Sequence, residues 1–428
     1  MKVLGIVVEY NPFHNGHEYH LKKAKEIVNP DFTIAVMSGN FCQRGEPAII
    51  SKFARAEIAL RSGIDVVFEL PFVFAVQDAG GFAKGAIWIL KSTNVVTDIV
   101  FGSESGDLDF LKKVAEVLIK QPEPFPVLMR EELKKGFSFP NARKNALRRY
   151  FEFSGELNPL EVSKIEKSND ILGLEYVRSA MELNFKVNFH TVKRVGAEDR
   201  DEDFKGKFSS ATAVRKQILA GNWDKVAESV PTVSYEIIKR EIESGRGPVT
   251  LEDMEKMILS VLRLSDRQTL SRFYGFSEGI EKRFLDCSYK TTNLKDFFNC
   301  VKSKRFTLSK IRRLSLYAFF GITQEFLESC NQLGPQYLRI LGFTEKGRKI
   351  LSVIKKKANL PIITNCADYK KVIERCLKDE DKRFSISPDL FEKQILLDIK
   401  STAIYNLLFT KQSERKGDED FKATPTIV

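Results

Sequence analysis

The sequence of 428 residues predicts an α/β fold, in which a Rossmann-like doubly wound parallel sheet is followed by a mainly α-helical C-terminal region. In the first half, short apolar runs alternate with segments of helical periodicity, as βαβ units require. Each run ends at a polar or glycine-containing turn, which is typical of parallel strands whose carboxyl ends meet at one edge of a sheet. After about residue 221, helical periodicity dominates and strand candidates become few.

The individual elements follow from the same patterns. Apolar runs predict buried strands over residues 3–8, 32–37, 66–70, 98–101 and 187–193. Amphipathic segments predict helices over residues 17–28, 52–62, 77–91 and 108–120, and later over 251–264, 293–300, 309–320 and 347–358. In a doubly wound sheet of order 3-2-1-4-5, the first and fourth strands are neighbours where the winding reverses, and ligands bind in the crevice there.

The chain is long enough for more than one domain, since single cores stop growing at roughly 250–300 residues. The change of pattern predicts a sheet-forming domain over residues 1–221, a helical region over 222–410 and a flexible polar tail over 411–428. With 43% hydrophobic and 29% charged residues, the composition is that of a soluble globular protein. The apolar start is interrupted by Glu9 and no later stretch is apolar enough to cross a bilayer, so we expect a cytoplasmic protein without a signal peptide or membrane span.

The cysteines are scattered along the chain without a CxxC pair. They are Cys42, Cys287, Cys300, Cys330, Cys366 and Cys376. This spacing argues against a zinc ribbon and, in a chain of this size, against a disulfide framework. We therefore expect reduced thiols and no tightly bound metal.

The net charge of +11 is concentrated in one segment. Residues 301–357 carry 13 Lys and Arg against 3 Glu, a difference of +10. A concentrated positive field suits a polyanion such as nucleic acid. A solvated, lysine-rich helical surface would give the same count, so charge alone leaves both interpretations open.

The turn after the first predicted strand has the sequence Asn-Pro-Phe-His-Asn-Gly-His, at residues 11–17. His14, His17 and His20, three of the four histidines in the protein, fall in this turn and the helix start that follows. Gly16 allows a ligand to approach the backbone, and the unpaired amides of the first helical turn favour an anion. Imidazoles three residues apart can face the same side, where they would donate hydrogen bonds to phosphoryl oxygens during displacement at an α-phosphate.

Two other interpretations of these histidines stay open. One is a metal site, although HxxH without a nearby set of carboxylates or cysteines is a weak zinc pattern. The other concerns His20, whose ring lies one turn further along the helix and has the position of a packing residue. We favour packing for the ring of His20, with its backbone close to the nucleotide, and phosphate binding for His14 and His17.

The turn also resembles a known signature. Its HxGH form is similar to the ATP-binding signature of the nucleotidyltransferase superfamily, which is related to class I aminoacyl-tRNA synthetases. The longer string Val-Val-Glu-Tyr-Asn-Pro-Phe-His-Asn-Gly-His (7–17) resembles that of the bacterial tRNA(Met) cytidine acetate ligases. So do Met-Ser-Gly-Asn-Phe (37–41), Gln-Arg-Gly-Glu-Pro-Ala (43–48), Glu-Leu-Pro (69–71), Phe-Gly-Ser-Glu (101–104), Ser-Asn-Asp-Ile-Leu-Gly (168–173) and Lys-Arg-Val-Gly (193–196). The resemblance runs through the first half and continues less sharply into the basic half.

The resemblance implies an ATP-binding catalytic domain of the HxGH nucleotidyltransferase type over 1–221 and a tRNA-binding region over 222–410. His14 and His17 would be catalytic. By this resemblance ATP would contact Val7, Val8, Glu9, Tyr10, Asn11, Pro12, Phe13, His14, Asn15, Gly16, His17, Glu18, Tyr19, His20, Gly102, Asn169 and Arg194. Gly102 ends the fourth predicted strand and so could meet the histidine turn across the nucleotide. Without the resemblance, Gly102 would be interpreted as a turn glycine.

The resemblance further implies a reaction in two steps. Acetate would attack the α-phosphate of ATP, with Mg²⁺ accompanying the phosphates, to give acetyl adenylate and pyrophosphate. The exocyclic amine of the wobble cytidine of elongator tRNA(Met) would then take the acetyl group, forming N-acetylcytidine and releasing AMP. We expect ATP, acetate and tRNA as partners, with no membrane and no obligatory protein partner. The expected tRNA contacts are Lys302, Lys304, Arg305, Arg312, Arg313, Arg339, Lys355, Lys356 and Lys357.

A second phosphate-binding element is predicted at Phe-Ser-Ser-Ala-Thr-Ala-Val-Arg, residues 208–215. It resembles the second signature of the superfamily, in which hydroxyls and an arginine at a helix start hold the β- and γ-phosphates. Ser210 would cap the helix, Thr212 would add a hydroxyl and Arg215 would offer a planar fork to pyrophosphate. Taken alone, the segment is an ordinary N-capped helix.

Arg44 and Glu46 follow the second predicted strand at the same edge, and their contacts, to substrate or to RNA, stay undecided. Cys42 beside them could carry an acyl group, but a lone loop cysteine is more often inert and adenylation needs no covalent intermediate. Two rival functions also stay open. A small-molecule adenylyltransferase would turn over without RNA, whereas a non-catalytic RNA-binding protein would show no pyrophosphate exchange.

Overall fold

The computed structural model of the protein describes residues 1–194, 203–378 and 383–428, and ten strands and twenty-one α-helices lie within these ranges. The strands are β1 (Val3–Val8), β2 (Phe32–Ser38), β3 (Phe41–Cys42), β4 (Glu46–Pro47), β5 (Val66–Leu70), β6 (Asp98–Ser103), β7 (Asn188–Lys193), β8 (Leu338–Phe343), β9 (Ile362–Ile363) and β10 (Thr426–Ile427). The helices are α1 (Asn15–Val28), α2 (Lys52–Arg61), α3 (Phe72–Ala75), α4 (Ala79–Ser92), α5 (Leu108–Lys120), α6 (Phe125–Lys134), α7 (Phe139–Ser154), α8 (Ser168–Glu182), α9 (Ala211–Leu219), α10 (Trp223–Ser229), α11 (Thr232–Glu243), α12 (Glu255–Leu264), α13 (Arg267–Ser271), α14 (Ile280–Lys290), α15 (Leu294–Val301), α16 (Leu308–Phe320), α17 (Gln324–Leu333), α18 (Glu345–Lys357), α19 (Tyr369–Leu377), α20 (Pro388–Leu407) and α21 (Glu419–Lys422).

The central sheet confirms the predicted fold class. Strands β5, β2, β1, β6 and β7 lie side by side and run parallel, which is the expected order 3-2-1-4-5 of the strand candidates. All residues of β1 and β5 are buried except Val7, which is partly exposed, as in a parallel sheet covered on both faces. Because β1 and β6 are neighbours, the turns that follow them meet at the edge where the parallel strands end.

Helix bounds differ from the predictions where a side chain caps the helix start. Helix α1 begins at Asn15 rather than at residue 17, because His14 is its N-cap. Helix α4 begins at Ala79 rather than at residue 77, because Asp78 accepts a hydrogen bond from the backbone of the first turn. The sequence predictions include no helix between residues 121 and 186, where α6, α7 and α8 lie.

The C-terminal region adds strands to the same sheet, which the sequence does not predict. Strand β8 pairs antiparallel with β5, and β9 and β10 each pair parallel with β8. The first five residues of β8 are buried, and all of its residues except Arg339 are apolar or glycine. Periodicity cannot distinguish so short an apolar run from a buried piece of helix.

One hydrophobic core extends through both halves of the chain. The rings of Phe41 and Phe320 lie 5.5 Å apart, and the hydroxyl of Tyr405 donates to the carbonyl oxygen of Ala48 at 2.8 Å. The predicted boundary between residues 221 and 222 therefore marks a change in the kind of secondary structure and does not separate two independent cores.

The prediction of a flexible tail over residues 411–428 is wrong. Strand β10 pairs with β8, and Asp420 is 1% exposed. The carboxylate of Asp420 binds Lys52 at 3.0 Å and Arg339 at 3.0 Å, and both cations are also buried. Removing the carboxylate would leave uncompensated buried charges, so this network holds the tail against the sheet.

The prediction of reduced thiols is wrong for one pair of cysteines. Cys287 and Cys300 form a disulfide whose Cα atoms lie 5.8 Å apart, because α14 packs beside α15. Helix packing sets this distance, and the spacing of the two cysteines in the sequence does not reveal it. The other four cysteines are buried thiols.

Within the described ranges, no helix combines the length and the apolar composition needed to span a membrane.

Candidate functional site

The turn between β1 and α1 lies at the edge of the sheet where the parallel strands end. A buried arginine supports this edge. The guanidinium of Arg55 donates to the carbonyl oxygens of Glu9 at 2.6 Å and Ser38 at 3.2 Å, and also to that of Gly39. Because Arg55 is fully buried and bound to backbone, it fixes the ends of β1 and β2 relative to each other.

His14 and His17 cap helix α1 with their rings. Nδ1 of His14 accepts a hydrogen bond from the backbone N–H of Gly16 at 3.0 Å, and Nδ1 of His17 accepts one from the N–H of His14 at 3.3 Å. The two rings stack with their centroids 3.8 Å apart, on one side of the turn. A neutral imidazole whose Nδ1 accepts carries its proton on Nε2, so the capping selects the tautomer that donates from Nε2.

The surroundings of the turn favour the neutral form of His17 and His20. Burial lowers the pKa of His17 well below its usual range, and the nearby basic side chains of His14, Arg194 and His20 act in the same direction, against a hydrogen bond to the carbonyl of Pro12. Burial also lowers the pKa of His20 to about 4, and the charge of Arg194 adds to this shift. Neutral rings with a fixed donor can bind phosphoryl oxygens without a prior change of protonation.

Gly102, His20 and Arg194 converge beside the turn. A Cβ atom at Gly102 would lie 3.7 Å from Cγ of Arg194 and 3.9 Å from Cδ2 of His20, which are ordinary contact distances, so these neighbours do not require glycine. Nε2 of His20 and the hydroxyl of Tyr10 are buried without a hydrogen-bond partner among the described residues. A nucleotide in this crevice would fill the space over Gly102 and supply such a partner, whereas packing alone leaves Nε2 of His20 unexplained. The last two positions of the Lys-Arg-Val-Gly string (193–196) lie outside the described residues.

Asn169 lies in the first turn of α8, where Glu104 holds it. Oε1 of Glu104 accepts a hydrogen bond from Nδ2 of Asn169 at 2.7 Å, and Oε2 accepts one from the backbone N–H of Asp170 at 3.0 Å. The carboxylate of Asp170 accepts in turn from the hydroxyl of Ser103. These bonds fix the start of α8 against the end of β6, next to Gly102.

The second predicted phosphate motif packs against the histidine turn. Ser210 caps α9, as predicted, and its hydroxyl accepts from the N–H of Ala213 at 3.0 Å. Nη1 of Arg215 donates to the carbonyl oxygen of Asn11 at 2.7 Å, and Nη2 donates to the hydroxyl of Thr212 at 3.4 Å. Two motifs that are 204 positions apart in the chain thus meet at one turn.

Cys42 is a buried residue of β3, and Glu9 lies partly buried beside the β3–β4 hairpin. Oε1 of Glu9 accepts from the N–H of Gln43 at 2.7 Å, and burial raises the pKa of the Glu9 carboxyl. Nδ2 of Asn11 donates to Sγ of Cys42 at 3.5 Å, and burial raises the pKa of this thiol far above its usual range. A thiol that stays protonated is a poor nucleophile, so the geometry disfavours an acyl-carrying Cys42.

The chain matches a family model over nearly all of its length. The model is described as HIGH Nucleotidyl Transferase and matches residues 1–420. The chain belongs to this family.

Known proteins are similar to this chain over nearly its whole length. The tRNA(Met) cytidine acetate ligases of Thermotoga petrophila and Thermotoga maritima are 57% and 56% identical to it, over 98% of this chain and 99% of theirs. Two crystal structures of Thermotoga maritima TmcAL match this chain. Both are 56% identical to it, and each match covers 100% of both chains. The TM-scores are 0.97 for an apo form and 0.95 for a form bound with alpha-thio ATP.

Two predicted RNA contacts of this HIGH nucleotidyl transferase lie beside the histidine turn. Helix α16 packs on the β3–β4 hairpin, where Nη1 of Arg312 binds Oε2 of Glu46 at 2.9 Å and Nη1 of Arg313 donates to the carbonyl oxygen of Gln43 at 3.3 Å. The loop before α16 carries three more exposed candidates, Lys302, Lys304 and Arg305. These five residues form the basic surface on the side of the site.

Lys355, Lys356 and Lys357 are exposed at the end of α18, on the opposite edge of the sheet. Nδ2 of Asn94, just before β6, donates to the carbonyl oxygen of Lys357 at 2.8 Å, which ties this helix end to the edge where the parallel strands begin. The six residues of β1 separate that edge from the histidine turn, a span of roughly 20 Å.

Arg339 is not a surface residue, and its prediction as an RNA contact is wrong. Its guanidinium is 3% exposed and binds Glu69 at 2.9 Å and Asp420 at 3.0 Å. Lys52 binds the same two carboxylates. Arg339 is enclosed in this way because it lies within β8, inside the sheet.

The sequence assigns no role to two residues that support the site, Arg55 and Glu104. Helix α2 buries seven of its ten residues, Arg55 among them, but four of the ten are charged, so its sequence does not single out Arg55. Glu104 has no sequence signal either, because its partner Asn169 is 65 positions away.

Proposed function

We propose that the protein is an ATP-dependent tRNA-modifying ligase that activates acetate as acetyl adenylate. It then transfers the acetyl group to the exocyclic amine of the wobble cytidine of elongator tRNA(Met), forming N-acetylcytidine. The observation that carries the proposal is the β1–α1 turn, where two stacked imidazoles whose Nδ1 atoms accept hydrogen bonds, the N-terminus of α1 and Arg215 converge. The names of the relatives at 56–57% identity support the choice of RNA and acyl group, and the neighbour bound with alpha-thio ATP supports the nucleotide.

In the first step, an oxygen of acetate attacks the α-phosphorus of ATP, and the bond to pyrophosphate breaks. Negative charge increases on the phosphoryl oxygens, and the Nε2–H groups of His14 and His17 would stabilise it. One such donor is typically worth about two to three orders of magnitude in rate. The positive end of the α1 helix dipole would favour the same charge. Mg²⁺, held mainly by the phosphates themselves, would neutralise part of it.

The remaining predicted contacts divide between the two ends of the nucleotide. Arg215, Ser210 and Thr212 would hold the departing pyrophosphate, since they lie at the start of α9 against the turn. Gly102 and Arg194 would contact the nucleoside from the end of β6, as would Asn169, which Glu104 orients.

In the second step, the exocyclic amine of cytidine attacks the acetyl carbonyl carbon. The bond from that carbon to the phosphate oxygen breaks, AMP leaves and the amine loses a proton. The RNA would approach over the basic surface of Lys302, Lys304, Arg305, Arg312 and Arg313, which adjoins the turn. Since tRNA and ATP are the proposed substrates, we propose that the protein acts in the cytoplasm.

Incubation with ATP, labelled acetate and total tRNA, followed by digestion of the RNA, tests the product. We expect labelled N-acetylcytidine and acetate-dependent exchange of labelled pyrophosphate into ATP. Turnover that needs no RNA would instead indicate a small-molecule adenylyltransferase. No exchange under any condition, in a sample that still binds nucleotide, would indicate a non-catalytic RNA-binding protein.

A further inference from the structure

Glu46 bridges two arginines from distant parts of the chain. Its Oε1 lies 3.1 Å from Nη2 of Arg215, in the second phosphate motif, and its Oε2 lies 2.9 Å from Nη1 of Arg312, in α16. The three side chains are only 17%, 20% and 27% exposed, in the order Glu46, Arg215, Arg312. Charges that are so largely removed from solvent interact more strongly than the same groups on an open surface.

One side of this bridge reaches the histidine turn. The same guanidinium of Arg215 that binds Glu46 also donates to the carbonyl oxygen of Asn11 at 2.7 Å. Asn11 lies three residues before His14, within the turn. A single side chain therefore connects the carboxylate of Glu46 to the backbone that positions the imidazoles.

The other side of the bridge reaches the basic surface. Gly45 has a φ of +76°, and a Cβ atom there would lie 2.6 Å from the backbone N of Arg313 and 2.8 Å from the carbonyl carbon of Arg312. The hairpin and α16 thus touch at backbone distance, and no residue with a side chain fits at position 45. The guanidinium of Arg312 also lies 5.9 Å from the centre of the Phe298 ring, and its Nε is buried without a partner among the described residues.

We propose that Glu46 is a positioning residue that joins the RNA-binding helix α16 to the ATP-binding turn. This inference rests on the proposed function, because it takes Arg215 as a phosphate contact and Arg312 as an RNA contact. The carboxylate holds the two guanidinium groups in one cluster and keeps Arg215 oriented on the turn. Without the carboxylate, the positive charges of Arg215 and Arg312 would lie close together uncompensated. Arg215 would also lose its contact to Glu46 and keep its bonds within the turn and to Thr212.

Glu46→Gln tests the proposal, because it keeps the shape of the side chain and removes the charge. Glu57 offers a matched control, since its 15% exposed carboxylate also bridges two arginines, Arg61 at 3.0 Å and Arg240 at 2.8 Å, on a helix that carries no predicted site residue. We expect E46Q to lower acetate-dependent pyrophosphate exchange without RNA by about tenfold. E57Q should leave the exchange rate unchanged.

The same variants should separate kcat from KM in the complete reaction. E46Q should lower kcat for tRNA acetylation without raising the KM for tRNA, since removing a negative charge leaves the basic surface more positive. A general loss of folding would not change kcat while leaving KM for tRNA unchanged. The midpoint temperatures of thermal unfolding of E46Q and E57Q show whether the two variants are equally stable.

A double-mutant cycle with Arg312→Gln tests whether Glu46 links α16 to the ATP-binding turn. If Glu46 connects the two sites, R312Q lowers the RNA-free exchange rate in the wild-type background and has no further effect in E46Q. Additive effects, or an E46Q exchange rate within twofold of E57Q, would overturn the proposal. If E46Q does not fold, R312Q alone tests the proposal, because an unchanged RNA-free exchange rate in R312Q would show that α16 is not linked to the turn through Glu46. A wild-type protein that shows no exchange would instead overturn the proposed function.

Discussion

Each imidazole of the β1–α1 turn uses Nδ1 to cap helix α1 and therefore carries its proton on Nε2. This arrangement couples local structure to chemistry, because the same bonds that begin the helix set the direction of the ring donors. The spacing of His14 and His17 predicts their shared side, but it cannot predict which ring nitrogen accepts. That depends on the extended backbone of His14 at the N-cap, with φ −126° and ψ 172°.

Replacement of His17 by alanine removes one donor and half of the capping arrangement. We expect acetate-dependent pyrophosphate exchange to fall by about 100-fold or more. The KM for ATP should change less, because the donor acts on charge that develops in the transition state. His190→Ala is the control, since His190 pairs with Asp98 at 2.9 Å where β6 begins, away from the turn. Equal exchange rates in the two variants would contradict a catalytic role for the imidazole.

The depressed pKa of His20 makes stability depend on pH. This pKa is about 4 in the folded protein and roughly 6.5 in the unfolded chain, so between these values the unfolded chain binds a proton that the folded protein does not. The free energy of unfolding should therefore increase from about pH 4 to about pH 6.5 and then level off for this group. His20→Gln should remove up to about 1.4 kcal/mol per pH unit of that increase. Urea unfolding near pH 5 and near pH 7 measures it, and the same pH dependence in variant and wild type would refute the assignment.

At the scale of secondary structure, elements with a clear apolar run or capping residue could be predicted from the sequence. The strands β1, β2, β5, β6 and β7 follow from apolar runs, and helices α1 and α9 follow from their capping residues and periodicity. Strand β8 could not be predicted, because its apolar run lies among helices and its partner β5 is far away in the chain. The buried position of Arg339 depends on that pairing, so the sequence placed this residue on the surface.

The buried network at β8 predicts a large effect of a single substitution. Arg339→Met leaves the carboxylates of Glu69 and Asp420 with Lys52 as their one cation in the network, and we expect the free energy of unfolding to fall by about 3–5 kcal/mol. Arg305→Met is the control, because Arg305 binds Glu278 with both side chains about half exposed. Such a surface pair contributes about 0–1 kcal/mol.

Urea unfolding of Arg339→Met and Arg305→Met measures the loss in the free energy of unfolding for each variant. Similar losses in the two variants would show that the β8 network does not hold the tail and strand together as described.

At the scale of the whole molecule, the predicted RNA contacts within 301–357 lie in three places. Arg339 is in the core, the group around α16 adjoins the site, and Lys355 to Lys357 lie on the opposite edge. A count of charges along the sequence cannot distinguish these positions, because the folding of β8 and α18 against the sheet determines them. The shared core likewise shows that the two halves are one folded unit around the site.

These positions predict that two triple variants, each lacking three positive charges, will differ in tRNA binding. Changing Lys302, Lys304 and Arg305 together to glutamine should weaken tRNA binding and reduce the slope of log K against log salt by roughly two to three units. Changing Lys355, Lys356 and Lys357 to glutamine should have a smaller effect on both. Binding measured over a series of salt concentrations compares them, and an equal or larger effect at Lys355 to Lys357 would relocate the RNA-binding surface.

The proposed function requires the triphosphate of ATP to bind at the turn between β1 and α1. A crystal structure of this protein with a slowly hydrolysed ATP analogue would show where the triphosphate lies. We expect phosphoryl oxygens within about 2.7–3.2 Å of Nε2 of His14 and of His17, with the nucleoside over Gly102. A nucleotide bound elsewhere, with His14 and His17 still enclosed by protein and making no contact to phosphate, would contradict the account.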